Sequence, residues 1–177
     1  MAEALEQVLE LFRAKQWKFE VDEENDLVHT GVEGDNGDWR VIAGASDDDR
    51  VFLMLSLLPQ KCPVQKRAAC AELLTRINFG MEVGCFEMDF ESGRIHLKTA
   101  VPFAPGALDP GMLNKVVMFN LGCMDKFLPA IKSVIYAGTS PARVLAAVEL
   151  EEKAKEQAKA KQQDKQQEAV RRRFMDN

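Results

Sequence analysis

The sequence predicts an α+β domain in which one antiparallel sheet of five to seven strands carries helices on one face. Three observations predict it. Apolar residues recur at helical spacing in separate stretches, other stretches alternate with period two, and glycine- and aspartate-rich turns punctuate the alternating ones.

The first helix is predicted over Ala2–Lys15. Leu5, Val8, Leu9 and Phe12 fall at i, i+3, i+4 and i+7, opposite Glu3, Glu6, Glu10 and Arg13. Trp17, Phe19 and Val21 then alternate with Lys18 and Glu20, as in a strand. Asp22–Asp26 is a charged turn, and Val28, Thr30 and Val32 resume the alternation. The segment EGDNGD, Glu33–Asp38, is a strong turn signal because glycine and Asn-Gly accept positive φ. Trp39–Ala45 and Val51–Leu58 are predicted strands around the solvated tip Ser46–Arg50.

The strand VFLMLSLL is unusual. Val51, Leu53, Leu55 and Leu57 make one face apolar, and Phe52, Met54 and Leu58 do the same for the other. A strand with one wet face normally alternates, so both faces here need a cover. Helices supply one. The other is a second copy of the chain, a client segment, or the chain's own curled sheet and C-terminal helix. Phe52, Met54 and Leu58 are read as the partner-facing set.

A second helix is predicted over Val64–Asn78, with Cys70, Leu73, Leu74 and Ile77 inward and Gly80 as a left-handed cap. Phe86, Met88 and Phe90 alternate with Cys85, Glu87 and Asp89; Ile95, Leu97 and Thr99 alternate with Arg94, His96 and Lys98. An acidic outer face beside a basic one favours their pairing as a hairpin. Met112–Tyr136 is the third helix, its stripe Met112, Val116, Val117, Cys123, Met124 and Phe127 continuing past a kink or restart at Pro129. Ser140-Pro141 opens a last helix. From Glu149 apolar residues other than alanine almost vanish, which divides the chain into a domain over 1–149 and a charged tail over 150–177. The tail reads as a solvated or partly disordered helix that docks on nothing in its own domain.

Composition narrows function. Of 177 residues 46 % are hydrophobic and 29 % charged, ordinary for a folded domain. The net charge of −5 argues against a general nucleic-acid binder. From Glu149 onward there are 8 basic and 7 acidic residues, leaving 15 and 21 before it, so the acidity belongs to the domain. Arg171–Arg173 alone make a weak anionic-partner patch. No secretory leader opens the chain and no apolar run is long enough to span a bilayer, so a cytoplasmic protein without membrane attachment is expected. Cys62, Cys70, Cys85 and Cys123 form no metal-ligand pattern and read as free thiols, Cys62 the first expected to react. DNGDWRVIAGAS does not continue as an EF-hand loop, so no metal is expected. His29 and His96 lack a catalytic motif, and His96 reads as a cross-strand partner of acidic residues. No catalytic residue and no cofactor are expected.

Three segments carry a resemblance: AELLTRINFGMEVGCFEMDFESGRIHLKT (71–99), MDKFLPAIKSVIYAGTSPARVLAAVE (124–149) and EGDNGDW (33–39). In that order they resemble the YbjN domain, a bacterial family labelled as sensory transduction regulators. The resemblance covers roughly 1–149. It implies a fold similar to type III secretion chaperones, a curved antiparallel sheet with helices against it, and it implies no catalytic residues. The function expected is a non-catalytic protein-binding module of chaperone, adaptor or regulatory type, with a protein client or a homodimer as partner. The alternatives are a domain that senses a small molecule in a groove beside the sheet and, third, an enzyme with an unrecognised site.

Overall fold

The structure, a computed structural model, describes residues 3–46, 48, 50–104 and 108–175. Ala2, Asp47 and Asp49 of the charged tip, 105–107 of the proline-rich loop and the side chains of Arg171–Arg173 lie outside the described residues. In chain order the elements are α1 (Glu3–Ala14), β1 (Glu20–Asp22), β2 (Leu27–Gly34), β3 (Gly37–Ser46), β4 (Val51–Leu57), a 3-10 turn (Val64–Lys66) and α2 (Arg67–Phe79). There follow β5 (Cys85–Met88), β6 (Ile95–Pro102), α3 (Pro110–Lys132), a π turn (Ser133–Ala137) and α4 (Pro141–Met175).

The six strands form one sheet in the order β1-β2-β3-β4-β6-β5, every neighbouring pair antiparallel. Helices α1 and α3 pack on it, α2 against β5, and α4 begins against α2 and α3. The α1 stripe is buried as its spacing predicts, Leu5, Val8, Leu9 and Phe12 each at most 1 % exposed. Phe12 also meets Trp17 and Phe19 edge-on at 5.2 and 5.9 Å. Those contacts draw the chain inward after α1, so β1 starts at Glu20 rather than Trp17.

The segments that carry the resemblance touch. At the two-residue turn between β2 and β3, Asn36 donates from its backbone N to Asp125 Oδ1 (2.8 Å) and from Nδ2 to Asp125 Oδ2 (3.1 Å). A Cβ on Gly34 would run into that carboxylate and lie 2.8 Å from Trp39 Cζ3, so glycine is required by close approach. Asn78, at the end of α2, grips β5: its Oδ1 accepts from Phe86 N (2.8 Å) and its Nδ2 donates to Phe86 O (2.9 Å).

Under α3 lies a buried polar chain. Trp39 Nε1 donates to Ser56 Oγ (3.1 Å), Ser56 Oγ to Asn120 Oδ1 (2.6 Å), and Asn120 Nδ2 to Thr99 Oγ1 (2.9 Å). It joins β3, β4, β6 and α3 in one specified register, and each polar group has its partner.

Several local expectations need correction. Gly80 is not left-handed (φ −97°, ψ 0°); its N–H instead bonds Ile77 O at 3.1 Å and closes the helix in 3-10 fashion. Helix α3 does not restart at Pro129, which sits on its exposed side; it runs on to Lys132 and into the π turn, which closes at Gly138 with φ +66°. The inward stripe of α3 is Leu113, Val117, Asn120, Leu121, Met124, Phe127 and Leu128, so Met112, Val116 and Cys123 are only half-buried. The tail does not stand clear of the domain: α4 continues from Pro141 without interruption, and Glu152 forms an ion pair with Lys126 of α3.

Candidate binding face

The register divides the sheet into two faces. Val28, Ala43, Met54 and Thr99 lie side by side across β2, β3, β4 and β6, as do Thr30, Val41, Ser56, Leu97 and Phe86. All are buried under the helices. Phe52, Met54 and Leu58, read from the sequence as partner-facing, are core residues at 1, 0 and 7 % exposure. The two faces of β4 are therefore the reverse of that expectation. The sequence could not decide, since both sets are apolar; the helices dock where the flanking strands also point small or apolar groups, Ala43, Ala45 and Val41.

Among the described residues no helix packs on the opposite face. Val51, Leu53, Leu55 and Leu57 run along its centre, each half-buried, with Leu27 and Ile42 beside them on β2 and β3. Alternate residues of a strand are about 6.6–6.8 Å apart, so β4 presents a continuous aliphatic ridge.

The ridge has charged margins. On the β5–β6 side Glu87 Oε2 lies 3.0 Å from His96 Nε2, and Glu87 Oε1 pairs with Lys98. The Lys98 ammonium is the main reason the Glu87 carboxyl is held below its ordinary value, and Glu87 in turn raises Lys98. Burial, then the neighbouring Glu87, pushes the Cys85 thiol up. His96 is thus the cross-strand partner its alternation suggests. On the other side Arg40 and His29 project from β3 and β2.

The buried Cys70 thiol is pushed up to about 12 by burial and by Cys62 beside it, the opposite of a reactive thiolate. Cys62 is 1 % exposed, which corrects its place as the first thiol to react; Cys85 and Cys123 are the more accessible. The backbone folds Cys62 inward through Cys62 N donating to Gly93 O at 2.7 Å. Among the described residues no three of His, Cys, Asp or Glu are grouped to hold a metal, and no helix is long and apolar enough to cross a membrane.

A family model for YbjN, described as "Putative bacterial sensory transduction regulator", matches residues 4–133. The chain belongs to the YbjN family. Its fold is that of a crystal structure of YbjN from E. coli, described as "a putative transcription regulator": 9 % identity, TM-score 0.51, covering 68 % of this chain and 85 % of that one. A structure of the HopA1–SchA chaperone–effector complex aligns at 15 % identity and TM-score 0.42, over 70 % of this chain and 94 % of that one. No curated protein matches the chain. The YbjN match ends at Ser133, the first residue of the π turn, so the rest of that turn and α4 lie beyond it. Within it fall both side-chain grips described above, Asp125 on the β2–β3 turn and Asn78 on β5.

Proposed function

We propose that this YbjN-family protein is a non-catalytic protein-binding module of adaptor or chaperone type acting in regulation, and that the uncovered sheet face is its binding surface. The observation that carries the reading is the ridge Val51, Leu53, Leu55 and Leu57, aliphatic and half-exposed at the centre of the sheet, with no helix over it among the described residues. Contiguous apolar patches beyond a few hundred Å² are uncommon on monomers and mark interaction sites. The occupant is an amphipathic segment of another protein, its apolar side on the ridge and its polar edges meeting the Arg40 and Glu87–Lys98 margins. The setting is cytoplasmic, a reading supported by four cysteines that are all free thiols.

Leu55→Glu tests it. Leu55 is half-exposed, so the variant is expected to fold with a stability loss of about 1 kcal/mol or less, while a pull-down loses the proteins that the wild type retains. Light scattering separates the occupants. A wild-type dimer that becomes monomeric in Leu55→Glu would make a second copy of the chain the occupant. Unchanged partners and unchanged mass would remove the face from the function.

The division into a domain over 1–149 and a tail over 150–177 is part of the same reading. Beyond Glu149 the described side chains are exposed, and the Lys126–Glu152 pair is a surface one, worth about 0–1 kcal/mol. Truncation after Glu149 is expected to lower stability by less than about 1 kcal/mol in thermal unfolding. A larger fall would show that α4 beyond that point belongs to the folding unit.

A further inference from the structure

A hollow of about 590 Å³ opens on the uncovered face, where β1, β2 and β3 approach β4. Binding sites for small molecules commonly span about 300–1,000 Å³. Ile42 and Leu57 are the apolar side chains of the uncovered face that line it, while Phe19 turns its ring to Phe12 under α1. The space exists because Gly31 stands opposite Arg40 in the β2–β3 register, and a Cβ at Gly31 would meet nothing within 4 Å. No positive φ explains this glycine; it leaves room instead.

The polar groups around that surface are mainly basic. Lys18, His29 and Arg40 line it, and Glu20, opposite His29 across β1–β2, is the one carboxylate among the described lining residues. Lys18 and Arg40 are exposed, and among the described residues neither side chain has an ion-pair partner. In a protein of net charge −5, two unpaired cations beside an apolar floor run against the prevailing sign. Past Arg40 a second hollow of about 540 Å³ is walled by Glu33 and Asp38, which repel an anion and confine its head to the Lys18 side.

We propose that the hollow beside Gly31 binds a small amphipathic monocarboxylate, its apolar body over Ile42 and Leu57 and its carboxylate on Arg40 and Lys18. The guanidinium fork offers paired N–H donors to such a head. A single negative charge fits better than a phosphate dianion, because Glu20 offsets one of the two fixed cations. The site goes beyond the protein-binding reading: it shares Arg40 and Leu57 with that face and uses neither Leu53 nor Leu55.

Octanoate and 1-octanol, which share a chain and differ in the head, are the probes. Titrations followed by backbone amide shifts and calorimetry are expected to move His29, Gly31, Arg40 and Ile42 with octanoate, and 1-octanol binds about tenfold more weakly for want of the charge-assisted pair. Arg40→Gln brings octanoate down to the level of octanol and leaves octanol unchanged. Gly31→Val intrudes on the hollow and weakens both while keeping the wild-type thermal midpoint. Absence of saturable octanoate binding at millimolar concentration overturns the proposal, as does equal binding of the two probes or wild-type affinity in Arg40→Gln. Shifts confined to Leu53 and Leu55 also overturn it, by placing the ligand on the ridge. Should Gly31→Val fail to fold, the Arg40→Gln comparison of the two probes decides.

Discussion

Met54→Glu is expected to unfold the protein. Met54 is 0 % exposed, at the centre of β4 between Ala43 and Thr99, with helices over it. Truncating such a side chain to alanine already costs about 2–5 kcal/mol. Glutamate adds a carboxylate with no cation to meet it, and must either ionise in an apolar interior or be held protonated, each at further cost. Set against a typical total stability of about 5–15 kcal/mol, the sum leaves little or no folded population. Circular dichroism and urea unfolding measure it. The contrast with Leu55→Glu is the sharper result, since one residue along the same strand turns the same substitution from lethal to tolerated. A Met54→Glu protein with a wild-type midpoint would mean that the helices cover the other face.

Asn120→Ala is expected to cost about 3 kcal/mol, from two sources. It leaves the Ser56 and Thr99 hydroxyls short of partners in a fully buried site, at about 1–3 kcal/mol for each group left unsatisfied, and it opens a cavity beneath α3. For a chain of this size that corresponds to a fall of about 6–12 °C in unfolding midpoint. Ser56→Ala removes one of the orphaned groups, so the double variant should lose less than the two single losses added together, with a coupling of about 0.5–3 kcal/mol. Additive losses in urea unfolding would show that the two side chains do not act as one network.

Much of the fold is legible because alternation and helical spacing are local. The α1 and α2 stripes, the β2–β3 turn and the Glu87–His96 pairing all follow from residues a few positions apart. Legibility fails where a local rule has two solutions. Gly80 satisfies a left-handed cap or a 3-10 closure equally well as a sequence symbol, and the contacts around α2 select the second. Pro129 breaks an isolated helix, yet it is tolerated near the end of α3, where the packing of Leu128 and Ile131 holds the backbone. Asn120 is invisible as a core residue because polarity alone points outward; only the hydroxyls of Ser56 and Thr99 arriving from other strands make its burial favourable.

The candidate face was half legible. The sequence by itself determined that β4 is apolar on both sides and that both sides need a cover, since a period of two assigns alternate residues to opposite faces whatever the fold. Which side the helices take is a tertiary decision, made by the neighbours in register: Ala43 and Ala45 leave room for α1 and α3 beside Met54 and Phe52, whereas Arg40 and Lys98 beside Leu57 and Leu55 keep charge in water. The same holds for the hollow beside Gly31, which joins residues of four strands. It holds too for Asp125 on Asn36, 89 positions apart, where one carboxylate ties a helix to a turn. Contacts of that range have no sequence period, because they form only after the sheet has brought its strands together.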